Sequence, residues 1–271
     1  MTETTLNIGT VGIIGGTGTL GSAIVRALLA RKVVSPDRLW LANRSGEAGP
    51  FSDIPGINVT RRAQDLAETC DVIVLSVPPA SIPELDLTAP DALILSVMAG
   101  VSLKTLTGCT GAPRAVRAMS SPAAARHLAY SPWIASATVT EKDRARVTAI
   151  FGACGTTDEI ADESQIDIFT AMTGPVPGFV ALYAQAMTDY AANRGVSPDI
   201  ADRAVRQLFL GAGLMMSDGP MTPADHVAEM IDYAGTTAAG LEAMLATDLF
   251  DSIAEGLDAA VARTLSIAPE T

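Results

Sequence analysis

Apolar residues fall in short unbroken runs through the first half of the chain and in longer, interrupted stripes through the second. The runs at 11–14, 38–42, 72–77 and 92–98 are rich in Val, Leu and Ile, which predicts strands buried on both faces of a parallel sheet. Weaker runs at 59–60, 115–119 and 135–139 predict further strands. Mixed stretches at 22–31 and 63–69 predict helices between them. Strand and helix therefore alternate, the order of a doubly wound α/β sheet.

From about residue 162 the strand runs stop. Helices are predicted over 179–194, ending at Gly195, and from 198 to about 217, with Ser197 as N-cap and Pro198 at the first helical position. Thr222 and Pro223 repeat that opening, and 249–265 predicts a closing helix. The division is expected near residue 163, giving domains 1–163 and 164–271. The second is all helical, and its apolar faces exceed what so small a domain can bury alone, which suits packing across a homodimer or higher homo-oligomer. No repeat or low-complexity tract is present, and only the last few residues read as disordered.

Composition narrows the partners. Over 271 residues, Lys+Arg number 18 against Asp+Glu 30, a net charge of -12, which argues against nucleic-acid and anionic-membrane partners. Hydrophobic residues make up 48%, high for a soluble monomer, and aromatics only 4%. Cys70, Cys109 and Cys154 are scattered, so they suggest a reducing compartment and no metal site. The first six residues lack the basic and apolar segments of a secretion signal, and a cytoplasmic location is expected. The uncharged run 168–188 is interrupted by Gly174, Pro175, Pro177 and Gly178, which disfavours a membrane span.

Chemistry enters at Gly16-Thr17-Gly18-Thr19-Leu20-Gly21, placed between the first strand and the first helix. G-x-G-x-x-G in that context is a dinucleotide fingerprint. The glycines permit a tight turn, close approach to a pyrophosphate and close helix packing, and the helix N-terminus faces the phosphates. The second strand ends in Asn43-Arg44-Ser45 without the carboxylate that would accept from a ribose 2′-hydroxyl. A guanidinium flanked by two donors suits a 2′-phosphate, so NADP(H) is the expected cofactor. The competing reading is a surface turn with a solvated Arg44.

Three later segments decide the reaction. Arg117-Ala118-Met119-Ser120-Ser121-Pro122, Thr173-Gly174-Pro175-Val176-Pro177 and Ala234-Gly235-Thr236-Thr237 occur in an order that resembles pyrroline-5-carboxylate reductases. That family carries R-x-M-P-N-x-P, S-G-S-G-P and S-P-G-G-T-T segments at corresponding places, and the resemblance extends over nearly the whole chain. It implies a Rossmann domain followed by a helical dimerisation domain, and reduction of a cyclic imine to a secondary amine. It also implies that Val77, Pro78 and Met119 lie along the cofactor, that Gly235, Thr236, Thr173 and Pro177 meet the small-molecule imine, and that Thr237 hydrogen-bonds near its nitrogen. Alternatively, Thr236 or Thr237 merely caps a helix beginning at Ala238.

The departures from the family cluster on the substrate side. Asp232 stands where the family has a carboxylate-binding serine, and an ionised Asp there would repel a carboxylate. Either the substrate lacks a carboxylate or carries a cation, or Asp232 points to solvent and backbone amides bind the substrate. Two other classes stay open: an NADP-dependent oxidoreductase with a different acceptor, since 15–21 also resembles deazaflavin-linked reductases, and a nucleotide-binding protein without turnover. His127 and His226 have no partner legible by spacing and are read as structural.

Overall fold

A computed structural model describes residues 7–267. The segment expected to lack a secretion signal and the last residues expected to be disordered lie outside that range. By packing, the chain divides into two compact units, one of residues up to Val176 with those from Ala259 onward, the other Pro177–Asp258.

The first unit is built on an eight-stranded sheet in the order β3-β2-β1-β4-β5-β6-β7-β8. Its strands are β1 (Val11–Ile14), β2 (Leu39–Ala42), β3 (Asn58–Thr60), β4 (Val72–Leu75), β5 (Leu93–Ser96), β6 (Ala115–Ala118), β7 (Ala129–Ala135) and β8 (Gly155–Glu159). The first six run parallel, β7 is antiparallel to β6, and β8 is parallel to β7. The helices of this unit are α1 (Thr19–Ala30), α2 (Gln64–Thr69), α3 (Leu103–Thr110), α4 (Glu141–Cys154) and α5 (Gln165–Met172).

The unbroken apolar runs follow from burial on both faces. Val72 and Val74 of β4, with Leu93 and Leu95 of β5, pack into one core with Ile24 and Leu28 of α1 and Ile150 and Phe151 of α4. Ile73, Leu75 and Ile94, which point the other way, pack with Leu66 of α2 and Leu106 of α3. Alternate residues of one strand thus feed two cores.

Two elements of this unit depart from expectation by more than two residues. Helix α1 begins at Thr19, not residue 22, because Gly21 lies inside the first helical turn and serves close packing. The strand expected at 135–139 is instead β7, upstream at Ala129–Ala135. Pro132 and polar neighbours disguise that segment, yet the Pro132 carbonyl still accepts from the Met119 amide at 3.1 Å. β8 is a polar edge strand, and α3, α4 and α5 were not individually predicted.

The second unit contains α6 (Gly178–Ala192), α7 (Pro198–Ser217), α8 (Pro223–Asp232) and α9 (Thr236–Leu245); α10 (Leu249–Ile267) contributes to both units. Tyr183 of α6 meets Phe209 of α7 edge-on, with ring centroids 5.8 Å apart. Helix α8 opens with a capping box: the Asp225 amide donates to the Thr222 hydroxyl and the Asp225 carboxylate accepts from the Thr222 amide. Neither α6 nor α8 contains a buried residue within the chain. Among the described residues no helix is long and apolar enough to cross a membrane. The uncharged run 168–188 is broken between Met172 and Gly178.

Candidate active site

The glycine turn is held from both sides. Gly15 adopts a φ of +81° and its amide donates to the Ala42 carbonyl at 2.9 Å, tying the turn to β2. The Gly18 amide donates back to the Gly15 carbonyl at 2.9 Å, and Gly18 is the N-cap of α1. A Cβ on Gly21 would lie 2.2 Å from that same carbonyl oxygen, so any side chain there would push the helix away. No side chain caps α1 and no acid stands in its first turn, which leaves its amides and positive pole available. Gly18 and Thr19 are exposed while Leu20 turns into the core, so Leu20 can offer a ligand only its amide. This cradle fits a pyrophosphate.

Val77 is packed against Gly15 at the end of β4, and Pro78 opens the turn after it. The loop after β2 folds back so that Gly49 meets Thr17, and Phe51 is buried under the Arg26 guanidinium, 5.4 Å from its ring centre. Within that loop Asn43 is largely occupied. Its side-chain oxygen accepts from the Gly46 amide and the Ser45 hydroxyl, both at 2.8 Å, and its amide donates to the Glu47 carbonyl at 2.9 Å. Asn43 and Ser45 therefore build the turn, whereas the exposed Arg44 side chain is engaged in neither a hydrogen bond nor an ion pair among the described residues.

At the end of β6, Met119 is buried and packs toward Gly174, which brings the Arg117–Pro122 and Thr173–Pro177 segments together. The Thr173 hydroxyl donates to the Phe169 carbonyl at 2.9 Å, finishing α5. Beneath them lies a buried ion-pair group that the sequence did not reveal. Arg117 on β6 holds Asp167 of α5 at 2.5 Å and Glu163 at 3.3 Å, and the Glu163 carboxylate also accepts from the Leu103 amide at the start of α3. A strand Arg in an otherwise apolar run was the available signal, but its partners lie too far along the chain to be read from spacing.

In the second unit, Asp232 ends α8 and is exposed without an ion-pair partner among the described residues. Ala234 has a φ of +53°, and Gly235 is the N-cap of α9, which begins at Thr236. The capping alternative for the threonines is thereby corrected: the cap position is a glycine, and no side chain caps the helix. Thr236 and Thr237 are exposed on its open first turn. Pro177, at the start of α6, is likewise exposed. His127 is tied by its ring to the Ala153 carbonyl at 2.7 Å, a structural role, and His226 lies in α8. Among the described residues no cluster of His, Cys, Asp and Glu is placed to hold a metal ion.

Comparison with known proteins covers both units. Residues 163–267 match the family model for pyrroline-5-carboxylate reductase dimerisation, and residues 10–100 match that for coenzyme F420-dependent NADP oxidoreductases. The Arabidopsis thaliana pyrroline-5-carboxylate reductase is 30% identical over 238 residues, 85% of each chain. The chain belongs to the pyrroline-5-carboxylate reductase family. A reductase of this family from Pseudomonas aeruginosa is 28% identical over 265 residues, 94% of this chain and 96% of that one. The solved pyrroline-5-carboxylate reductase of Coxiella burnetii superposes with a TM-score of 0.86 at 25% identity, covering 97% of this chain and all of its own. The NADP-bound pyrroline carboxylate reductase of Plasmodium falciparum, at 21% identity and a TM-score of 0.79, shares the fold. These family members run through β6, β7, α4 and β8 as well, the stretch between the two family models.

Proposed function

We propose that the protein reduces pyrroline-5-carboxylate, a cyclic imine, to proline with NADPH. The observation that carries this reading is the match to a pyrroline-5-carboxylate reductase across 85% of both chains, beside an open first helical turn at Thr236-Thr237. NADPH held on the glycine turn supplies the hydride. The chain's own task is to bind and orient the imine and to exclude water, which needs few reactive side chains.

The open start of α9 is assigned to the substrate carboxylate, since its amides and the helix's positive pole favour an anion. The Thr237 hydroxyl is assigned to the imine nitrogen. With that nitrogen protonated, hydride addition at carbon yields the neutral secondary amine, so no covalent attachment to the protein is required. Gly235, Thr236, Thr173 and Pro177 are assigned to the imine's surroundings. Gly16 to Gly21, Arg44, Val77, Pro78 and Met119 are assigned to the cofactor, with Asn43 and Ser45 shaping its ribose end. The helical segment 164–271 is taken as the homodimerisation and substrate part, and a cytoplasmic location suits a pyridine-nucleotide enzyme with free thiols.

NADPH oxidation is to be followed with pyrroline-5-carboxylate and with cyclic imines lacking the carboxylate. Turnover of the carboxylated imine at an ordinary enzymatic kcat/KM supports the proposal. Turnover only of carboxylate-free imines would place Asp232 in substrate selection, and Asp232→Ser should then restore use of pyrroline-5-carboxylate. NADPH binding without oxidation of any imine overturns the enzymatic reading.

A further inference from the structure

We infer that Arg61, on the strand next to the one the sequence points to, is a second guanidinium for the cofactor's 2′-phosphate and sets the preference for NADPH over NADH. This rests on NADP(H) as the cofactor and goes beyond it by naming a residue from another element. The register of the sheet pairs Ala42 with Thr60, and the Asn43 amide donates to the Thr60 carbonyl at 3.2 Å, so the chain leaves β3 at Arg61 directly beside the turn that leaves β2.

Arg61 is held there. Its Nε donates to the Ser45 carbonyl at 2.9 Å, which fixes the plane of the guanidinium against the turn and leaves Nη1 and Nη2 free. The side chain can lie flat only because residue 46 is glycine. Gly46 has a φ of +69°, and a Cβ on it would fall 2.7 Å from the Arg61 Cγ and 2.9 Å from its Nε. No carboxylate lies within ion-pair distance of Arg61 among the described residues, whereas the adjacent Arg62 pairs with Asp65 at 3.5 Å.

The ligand chemistry follows from what the turn has left over. Asn43 and Ser45 satisfy each other and the backbone, so the donor set read from the sequence contracts to the Arg44 guanidinium. A phosphate monoester carries nearly two charges and three acceptor oxygens near neutral pH. One exposed arginine leaves most of those unmatched; a second guanidinium, anchored beside it through Nε, adds the donors of Nη1 and Nη2. In a chain of net charge -12, two neighbouring strand ends that each present an arginine paired with no carboxylate among the described residues, Asp65 being engaged by Arg62 and Thr60, mark a place built for an anion.

The test is direct titration of NADPH and NADH by nucleotide fluorescence, without substrate, on the full-length protein and on Arg61→Ala, Arg61→Lys and Arg44→Ala, with adenosine 2′,5′-bisphosphate as a competing probe. We expect Arg61→Ala to weaken NADPH and the bisphosphate by about tenfold or more while NADH stays within about twofold, the loss for one or more hydrogen bonds to a charged group. Arg61→Lys, which keeps the charge and loses the fork and its Nε anchor, should fall between. Equal weakening of NADPH and NADH would reduce Arg61 to a support of the turn and overturn the proposal, as would an unchanged ratio of the two. A wild-type protein that binds NADH as tightly as NADPH would overturn the cofactor reading first, and this proposal with it.

Discussion

At the start of α9 the N-cap is Gly235, which has no side chain with which to satisfy the first amides. Two threonines follow immediately, both exposed and neither closing the helix on itself. A hydroxyl left free at an open helix end is poised to engage a ligand, and this distinguishes Thr237 from the Thr173 hydroxyl, which is already bonded to Phe169. We expect Thr237→Val to lower kcat by roughly ten- to a hundredfold, the loss of one hydrogen bond that strengthens toward the transition state, with the Kd for NADPH unchanged. Thr237→Ser should retain most of the activity; a Thr237→Val variant of full kcat would remove the residue from the chemistry. The motif was legible in the sequence, but the helix start was not. Ala238 looks like the first helical residue because two β-branched threonines read as a turn, whereas the chain enters the helix at Thr236 as soon as Ala234 and Gly235 have made the bend.

Among elements, legibility followed burial. β4 and β5 lie in the middle of the sheet, so their runs are unbroken and readable, while β7 and β8 carry Pro132 and a Gly-Thr-Thr-Asp-Glu stretch that satisfy the ladder with little apolar signature. The contact of β6 with α5 was invisible for a different reason: Arg117 and Asp167 are separated by 50 residues, and nothing in either segment names the other. Arg117 is only 4% exposed and Asp167 6%, so removing Asp167 leaves the buried guanidinium with the longer Glu163 contact alone. Asp167→Ala should therefore cost about 3–5 kcal/mol in chemical denaturation. Replacing both, as Arg117→Met with Asp167→Leu, should recover much of the loss, because an apolar pair carries no desolvation penalty. If the double variant were no more stable than Asp167→Ala, the two charges would not be coupled in the way the geometry states.

Ionisation acts on the molecule as a whole, and here it narrows the stable range from both ends. Burial pushes the Cys70 thiol, with help from the Asp71 carboxylate, and the Cys154 thiol up to about 12. An unfolded cysteine ionises near 8.5. The folded values are raised, so the stabilisation is complete below the unfolded value and is lost as pH rises from about 8.5 toward 12. On the acid side, burial opposes ionisation of Asp143, yet the Thr140 hydroxyl and amide and the Arg114 guanidinium together hold its carboxyl below the usual range. Its contribution is present above about pH 4 and is lost as pH falls through the depressed folded value. Denaturant midpoints should accordingly fall on both sides of a broad neutral plateau. Cys70→Ala with Cys154→Ala should flatten the alkaline limb, and an unaltered limb would assign it to other groups.

The same scale decides the state of assembly. Leu182 is 68% exposed, Met215 69%, Phe250 68% and Leu265 64%, on helices of the segment that matches the family's dimerisation model. Apolar side chains exposed singly are ordinary, but several on α6, α7 and α10 form more uncovered surface than a monomer at equilibrium with water usually retains. The net charge of -12 keeps an assembled particle soluble without covering that surface, so a homo-oligomer is the state in which the apolar content of 48% is accounted for. We expect the wild-type protein to sediment as a homodimer or larger at micromolar concentration. Leu182→Lys and Met215→Lys should each shift it toward monomer, because a charge placed in a covered apolar contact is desolvated without a partner. The same variants should leave NADPH affinity intact, since the glycine turn and the ends of β2 and β3 belong to the other unit. A wild-type protein that remains monomeric at high concentration and refuses to aggregate would mean that these side chains are tolerated by water as they stand.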